Sequence, residues 1–411
     1  MLYRSLLKLE LFKEECKKNM LSRERLPSHR AAFIAVMTMS IVLLVLVTPV
    51  AAATTSVTVT KYADNNYSQS VDSETFNLAE LQTLSSVYSN GPVYMQGPTF
   101  DPGDPWGDGG QNMINFYGHN GSRVSNITDE VGGMSDGDEL KVQSSDGFPL
   151  YFGYDNVYTP NSSQGDMIVA WWDSDYGFVP HYTYGMRLFF YTPASSPGVD
   201  DSLNLTLRDM EASFDPWYRH NYTDSSGSWP SAKGLSSKYV QYLKIYPPHR
   251  YDFNTTGDTV EYAYEGGVGA SPGLNNPSGT TVDTSKIADD DNDADEYNTL
   301  ALGEYAAQRF VFNVTESAGN IEKLAVTWVG TSSHDDSSAD QGATTYIWKD
   351  GTGYEALTGD ITSDIVNYVV NGNVTVLVKQ NVTHVYEEEE DLSSRVATDY
   401  VGLVVTHHHA N

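Results

Sequence analysis

The chain has 411 residues, a length that predicts two or three domains and argues against one small domain. Lys and Arg total 24 against 54 Asp and Glu, a formal net charge of −30, which repels nucleic-acid phosphates and anionic lipid surfaces and attracts cations such as calcium. Nucleic acid is therefore not an expected partner. The only cysteine, Cys16, lies near the start of the chain, so disulfides and thiolate chemistry are not expected in the body of the protein.

The first element in chain order is an apolar run over residues 31–50, preceded by Arg23, Arg25 and Arg30 and followed by Ala51, Ala52 and Ala53. Small residues after such a run predict a signal peptide over residues 1–53, with the mature chain beginning near Thr54. An uncleaved membrane anchor is the rival reading, since about 20 apolar residues span a bilayer. Membrane contact is expected only through that leader. Either way the remainder is expected outside the cell or on its surface. Ten N-x-S/T sequons follow, at Asn66, Asn120, Asn126, Asn161, Asn204, Asn221, Asn254, Asn313, Asn373 and Asn381. Exported chains meet the glycosyltransferase, so these are candidate glycosylation sites.

From Ser56 onward, short alternating runs are broken by Gly, Pro, Asn and Asp, which predicts a β-rich chain. One short helix is expected after Asn77, with Glu80 completing a capping box and Leu78, Leu81, Leu84 and Val87 on one face. A helical turn is expected over 124–131, ended by Gly132 and Gly133. A strand from Glu139 and a hairpin at Asp146-Gly147 follow. Further strands are expected over 167–172, 186–191 and 239–246, where Pro247-Pro248 marks a domain boundary.

The order of several phrases in this half carries a resemblance. These are Phe76-Asn-Leu-Ala-Glu-Leu, Asp129-Glu-Val-Gly-Gly, Val142-Gln-Ser-Ser-Asp-Gly-Phe, Met167-Ile-Val-Ala-Trp, Gly177-Phe-Val-Pro, Tyr184-Gly-Met-Arg-Leu and Lys238-Tyr-Val-Gln-Tyr-Leu-Lys-Ile. Residues 56–250 thereby resemble the molybdopterin-binding domain of sulfite oxidase-type enzymes, which implies a mixed α+β domain over 54–250. In that family a cysteine thiolate holds molybdenum near the place where this chain reads Tyr94-Met-Gln-Gly-Pro. Gln and Met do not replace a thiolate, so the resemblance implies the scaffold without its metal. Degenerate domains of this kind resemble those of exported surface proteins in methanogen-like archaea.

The second half, 251–411, begins with alternation at Val260, Tyr262 and Tyr264. After an acidic run over 289–296 it continues with strand patterns from Phe310, Leu324, Thr344, Val374 and Tyr400, a spacing that predicts a β-sandwich. A helical turn is expected where Ile361, Ile365, Tyr368 and Val369 share a face ahead of Gly372. The phrase from Gly359 to Val376 resembles the turn-into-strand element of galactose-binding-like jelly rolls, which implies a jelly-roll-like sandwich and, by analogy, a carbohydrate role.

Among chemistry-bearing residues, Asp289, Asp291, Asp293 and Asp295 alternate as in calcium loops. Counted from Asp289, however, the sixth and twelfth positions of an EF-hand hold Ala294 and Leu300 in place of Gly and Glu. A solvated linker and a looser calcium site both remain open, and no other cofactor is expected. Trp171, Trp172, Trp328 and Trp348 lie in strand patterns and are expected in cores. Trp106, Trp217 and Trp229 lie in loops suited to sugar stacking or protein contacts. His407, His408 and His409 are of a type that binds transition metals, but a run of three histidines so placed reads rather as a disordered end. No G-x-S-x-G, H-E-x-x-H or phosphate-binding Gly loop occurs. The expected function is thus a non-catalytic structural or assembly protein of the cell exterior, a surface-layer, sheath or filament subunit. Its expected partners are copies of itself or other envelope proteins. The alternative is an extracellular carbohydrate-binding or adhesion protein that takes glycans.

Overall fold

The computed structural model describes residues 53–411 apart from 85, 90–92, 97–112, 163, 192–203, 207–213, 225–226, 255–256, 300, 335–341 and 388–389. The expected leader lies outside the described residues, as do Trp106 and part of the Tyr94-Met-Gln-Gly-Pro phrase. The protein is β-rich, mixed α+β in its first half and a β-sandwich in its second. Among the described residues, no helix is long and apolar enough to cross a membrane.

In the first half, β1 (Ser56–Ala63) and β2 (Asn66–Asn77) form an antiparallel pair. Helix α1 (Leu78–Leu81) follows, capped as its sequence predicts: the Asn77 side chain accepts from the Ala79 and Glu80 amides while Glu80 accepts from the Asn77 amide. The helix stops after four residues. A helix this short gains little from propagation, and Val87, expected on its face, instead lies in the strand Ser86–Ser89 opposite Gly121.

Strand β3 (His119–Arg123) runs into α2 (Val124–Asp129), which ends before Gly132 and Gly133, both at positive φ. Strands β4 (Glu139–Ser144) and β5 (Pro149–Gly153) form a hairpin whose turn has Gly147 at φ +92°. Strands β6 (Asp166–Asp173), β7 (Arg187–Tyr191) and β8 (Val240–Tyr246) complete the main sheets of this half. One sheet runs β2-β1-β8-β4-β5, with β1 and β8 parallel. In the other, β6 pairs with both β3 and β7. Gly121 is required at the β3–β6 bulge, because a Cβ there would lie 2.5 Å from the Val169 carbonyl oxygen. Alternating residues Val57, Val59, Leu140, Val142, Leu150, Phe152, Leu243 and Ile245 are fully buried and form the first core with Ile168, Val169 and Phe189.

Past Pro247-Pro248 the chain enters a second core. Its strands are β9 (His249–Asp252), β10 (Val260–Val268), β11 (Asp295–Thr299), β12 (Tyr305–Asn313), β13 (Ile321–His334), β14 (Ala343–Lys349), β15 (Gly353–Ala356), β16 (Asn373–Gln380) and β17 (Ser394–His407). One sheet is built on β17, which pairs with β9, β11 and β13; the other orders β10-β12-β16-β14-β15. Tyr251, Leu324, Val401, Leu403 and Val405 from the first sheet meet Phe310, Phe312, Val374, Val376 and Val378 from the second. Burying one such Phe is worth about 2–3 kcal/mol.

One expected detail differs, the helical turn, while the expected alternating strand from Val260 is present. Ile361 bridges Leu324, and only residues 365–367 form a 3-10 turn, with Ile365 and Tyr368 buried beside it. The alternation at Val260, Tyr262 and Tyr264 points away from the core, which receives Ala263 from this strand instead.

Candidate functional site

Because strand residues alternate between faces, the side of the second sheet turned away from its core carries a different set of residues. Tyr346 lies opposite Leu377 on β16, Trp348 opposite Tyr354 on β15, and Lys379 opposite Ala307 on β12. This face is aromatic and cationic. The segment after β10 folds over it: Lys379 Nζ donates to the Ala270 carbonyl at 3.4 Å, Tyr354 OH to the Leu274 carbonyl at 3.1 Å, and Arg309 Nε to the Pro277 carbonyl at 2.9 Å. Between this segment and β14–β16 lies a cleft of about 350 Å³.

Lys379 is 8% exposed. Its ammonium lies 4.2 Å from the centre of the Tyr305 ring and 5.5 Å from that of Tyr346, and burial lowers its pKa. Among the described residues it pairs with no carboxylate. The Trp348 and Tyr354 rings meet edge to face at 5.1 Å, and Trp348 Nε1 is buried without a hydrogen-bond partner. Trp348 was expected in a core by its strand pattern; it belongs to neither main core and lines the cleft. Trp171 is buried as expected, and Trp328 packs half-buried against the second core.

A second constellation lies where the two cores meet. His407 ends β17, and the chain continues through described residues, contrary to the expected disordered tail. His408 pairs through Nδ1 with Tyr218 OH and through Nε2 with Glu322 at 2.7 Å. His409 Nδ1 lies 2.6 Å from Glu139, and the Asn411 side chain donates to the Tyr151 and Tyr218 carbonyls. Carboxylates and carbonyls at fixed positions hold this segment, a tertiary effect that local composition does not report.

Nearby, His249 bridges Glu316 at 2.7 Å and Asp258 at 3.1 Å. Burial opposes charge on His249, but these bonds outweigh it and raise its pKa. Burial likewise opposes charge on Glu316, and the bonds from His249 and Tyr251 hold its pKa below the ordinary value. His407 is half-buried, with its Nδ1 buried and unpartnered, and its pKa is lowered, first by loss of solvation. In the first half, His119 Nε2 lies 3.1 Å from Asp173 inside the core.

The sequons fall in unlike environments. Asn161, Asn221 and Asn381 are exposed. Asn120 is half-buried with Oδ1 unpartnered, and Asn313 Nδ2 donates to Asn373 Oδ1 at 3.1 Å. Asn126 lies half-buried on α2, Asn66 half-buried on β2 and Asn254 half-buried after β9, while Asn204 belongs to a three-residue strand.

The acidic run does not gather its carboxylates. Asp289, Asp291 and Asp293 are exposed, and Asp293 lies 3.7 Å from Lys286. Asp295 sits on β11 beside Glu265, whose pKa is pushed up to about 7, by burial first and then by the Asp295 charge. Among the described residues, no three His, Cys, Asp or Glu side chains are grouped so as to hold a metal ion.

No curated protein and no solved structure matches the chain. Residues 258–407, which span every named strand of the second core after β9, match a family model described as "Uncharacterized protein, C-terminal domain".

Proposed function

We propose that this is a non-catalytic structural protein of the cell exterior, a surface-layer, sheath or filament subunit that assembles with copies of itself or with other envelope proteins. The observation that carries the reading is β2. This edge strand has 12 residues, pairs on one side with β1, and is exposed over most of its length. At about 3.4 Å per residue it offers roughly 40 Å of backbone, and the open donors and acceptors of an edge strand accept a strand from another chain. Val71 is the extra residue of the bulge where the register shifts between Lys61 and Tyr62, and it is 65% exposed.

The test is Val71→Lys, which places a charge on that edge. Electron micrographs of the wild type should show regular lattices or fibres, and those of the variant separate particles with an unchanged circular dichroism spectrum. A wild type that stays monomeric at high concentration overturns the reading. Export and cleavage near Thr54 belong to the same proposal; a native peptide still containing Met37 or Met39 would count against cleavage. The metal-free molybdopterin-binding-like scaffold also stays a proposal. A second reading, attachment to extracellular glycans through the second half, is favoured by the aromatic cleft around Trp348.

A further inference from the structure

We propose that the cleft between the segment after β10 and strands β14–β16 binds a saccharide unit bearing a carboxylate, with Lys379 as the counter-ion and Trp348 as donor and stacking surface. The inference deepens the glycan-attachment reading and rests on it.

Three observations converge on that ligand. The first is the lysine. A charged group taken out of water needs compensation, yet Lys379, 8% exposed, has only a long contact to the Ala270 carbonyl and the faces of Tyr305 and Tyr346 around it. A ligand carboxylate entering the cleft supplies the missing charge. Charge-assisted hydrogen bonds of this kind are about twice as strong as neutral ones.

The second is Trp348. Its Nε1 is buried and unpartnered, a state native structures rarely leave uncompensated. A ring hydroxyl of the ligand satisfies it. Trp348, Tyr346 and Tyr354 line the cleft together with Ser271 and Thr352, a set of aromatic rings and hydroxyl-bearing residues suited to the apolar and polar surfaces of a sugar ring.

The third is charge context. The protein as a whole carries −30, which repels long polyanions, whereas one buried ammonium attracts a single carboxylate at short range. A uronic acid unit within a largely neutral glycan meets both conditions. The volume, about 350 Å³, suits a small ligand.

The experiment uses the purified full-length secreted protein with methyl glucuronoside and methyl glucoside as probes, followed by calorimetry and by the shift of the Trp348 indole N–H resonance, assigned with Trp348→Phe. Glucuronoside should bind at least tenfold more tightly than glucoside. Lys379→Met, which keeps the length of the side chain, should erase that preference, and Trp348→Ala should abolish binding of both, each with an unchanged circular dichroism spectrum. Equal binding of the two probes, unaltered in Lys379→Met, overturns the carboxylate assignment while leaving glycan attachment standing. Absence of binding by either probe overturns both.

Discussion

His409 Nδ1 lies 2.6 Å from Glu139 Oε2, and the His409 amide donates to the other oxygen of the same carboxylate at 2.8 Å, so one buried side chain of the first core holds a segment 270 positions away. Glu139 is 3% exposed. Glu139→Gln keeps an acceptor for the amide and removes the charge. The expected loss is about 1.5–3 kcal/mol, the range for hydrogen bonds to charged groups, read as a lower urea midpoint with unchanged slope. A variant as stable as the wild type would show that the two cores are joined by other contacts.

The pair formed by His249 and Glu316 makes stability depend on pH in a defined direction. The folded pKa of His249 lies above its ordinary 6.5, so its contribution is full below pH 6.5 and is lost as pH rises through the folded value. Glu316 acts oppositely: its folded pKa lies below 4.5, so its contribution is present above pH 4.5 and lost as pH falls through the folded value. His407, held neutral by burial, costs stability as pH falls below 6.5. Asp258, Tyr67, Tyr251 and His409 surround these groups. In chemical denaturation, His249→Gln should lose more stability at pH 6 than at pH 9, and His407→Phe should flatten the decline below pH 6.5. An equal loss at both pH values for His249→Gln would remove the ion pair from the account.

Glu265 and Asp295 form a repulsive pair across β10 and β11. A folded-state pKa near 7 against an ordinary 4.5 means that the fold holds the Glu265 proton longer than the unfolded chain, so stability falls as pH rises across that window. Glu265→Gln should therefore melt at a higher temperature than the wild type at pH 8 and at the same temperature at pH 4. The looser calcium site that the alternation at Asp289, Asp291, Asp293 and Asp295 leaves open beside a solvated linker gives a related test. At fixed ionic strength, calcium should raise the melting temperature of the wild type more than magnesium does, since a ligand bound only to the fold adds about 2.7 kcal/mol at a hundredfold excess over its dissociation constant. A scan with and without chelator that shows no calcium-specific change leaves Asp289, Asp291, Asp293 and Asp295 as a solvated linker.

Glycan occupancy should follow exposure. Asn161, Asn221 and Asn381 present their side chains at the surface. A glycan on Asn313 would displace the amide bond to Asn373, and one on Asn120 would have to leave a half-buried strand beside β6. Glycopeptide mass spectrometry of the native protein should find the first three occupied and Asn120 and Asn313 bare. Full occupancy at Asn313 would mean that glycosylation precedes folding of β12.

Local chemistry was the legible part of this sequence. The capping box at Asn77 and Glu80, the glycine-terminated turn at Gly132-Gly133, the hairpin at Asp146-Gly147 and the alternating strands are all settled by neighbours within a few residues, and each is present in the fold. Composition likewise determined the β-rich class and the absence of a thiol after Cys16. Contacts between distant residues were not legible. Trp348 reads like any strand tryptophan; which face it takes depends on the pairing of β14 with β16, since a shift of one residue in register exchanges the two faces. His407, His408 and His409 read as a tail because Glu139, Tyr218 and Glu322, which hold His408 and His409, lie 86 to 270 positions away. That the Lys379 ammonium is buried with no carboxylate beside it among the described residues follows from the packed sheet and the segment above it rather than from any stretch of chain.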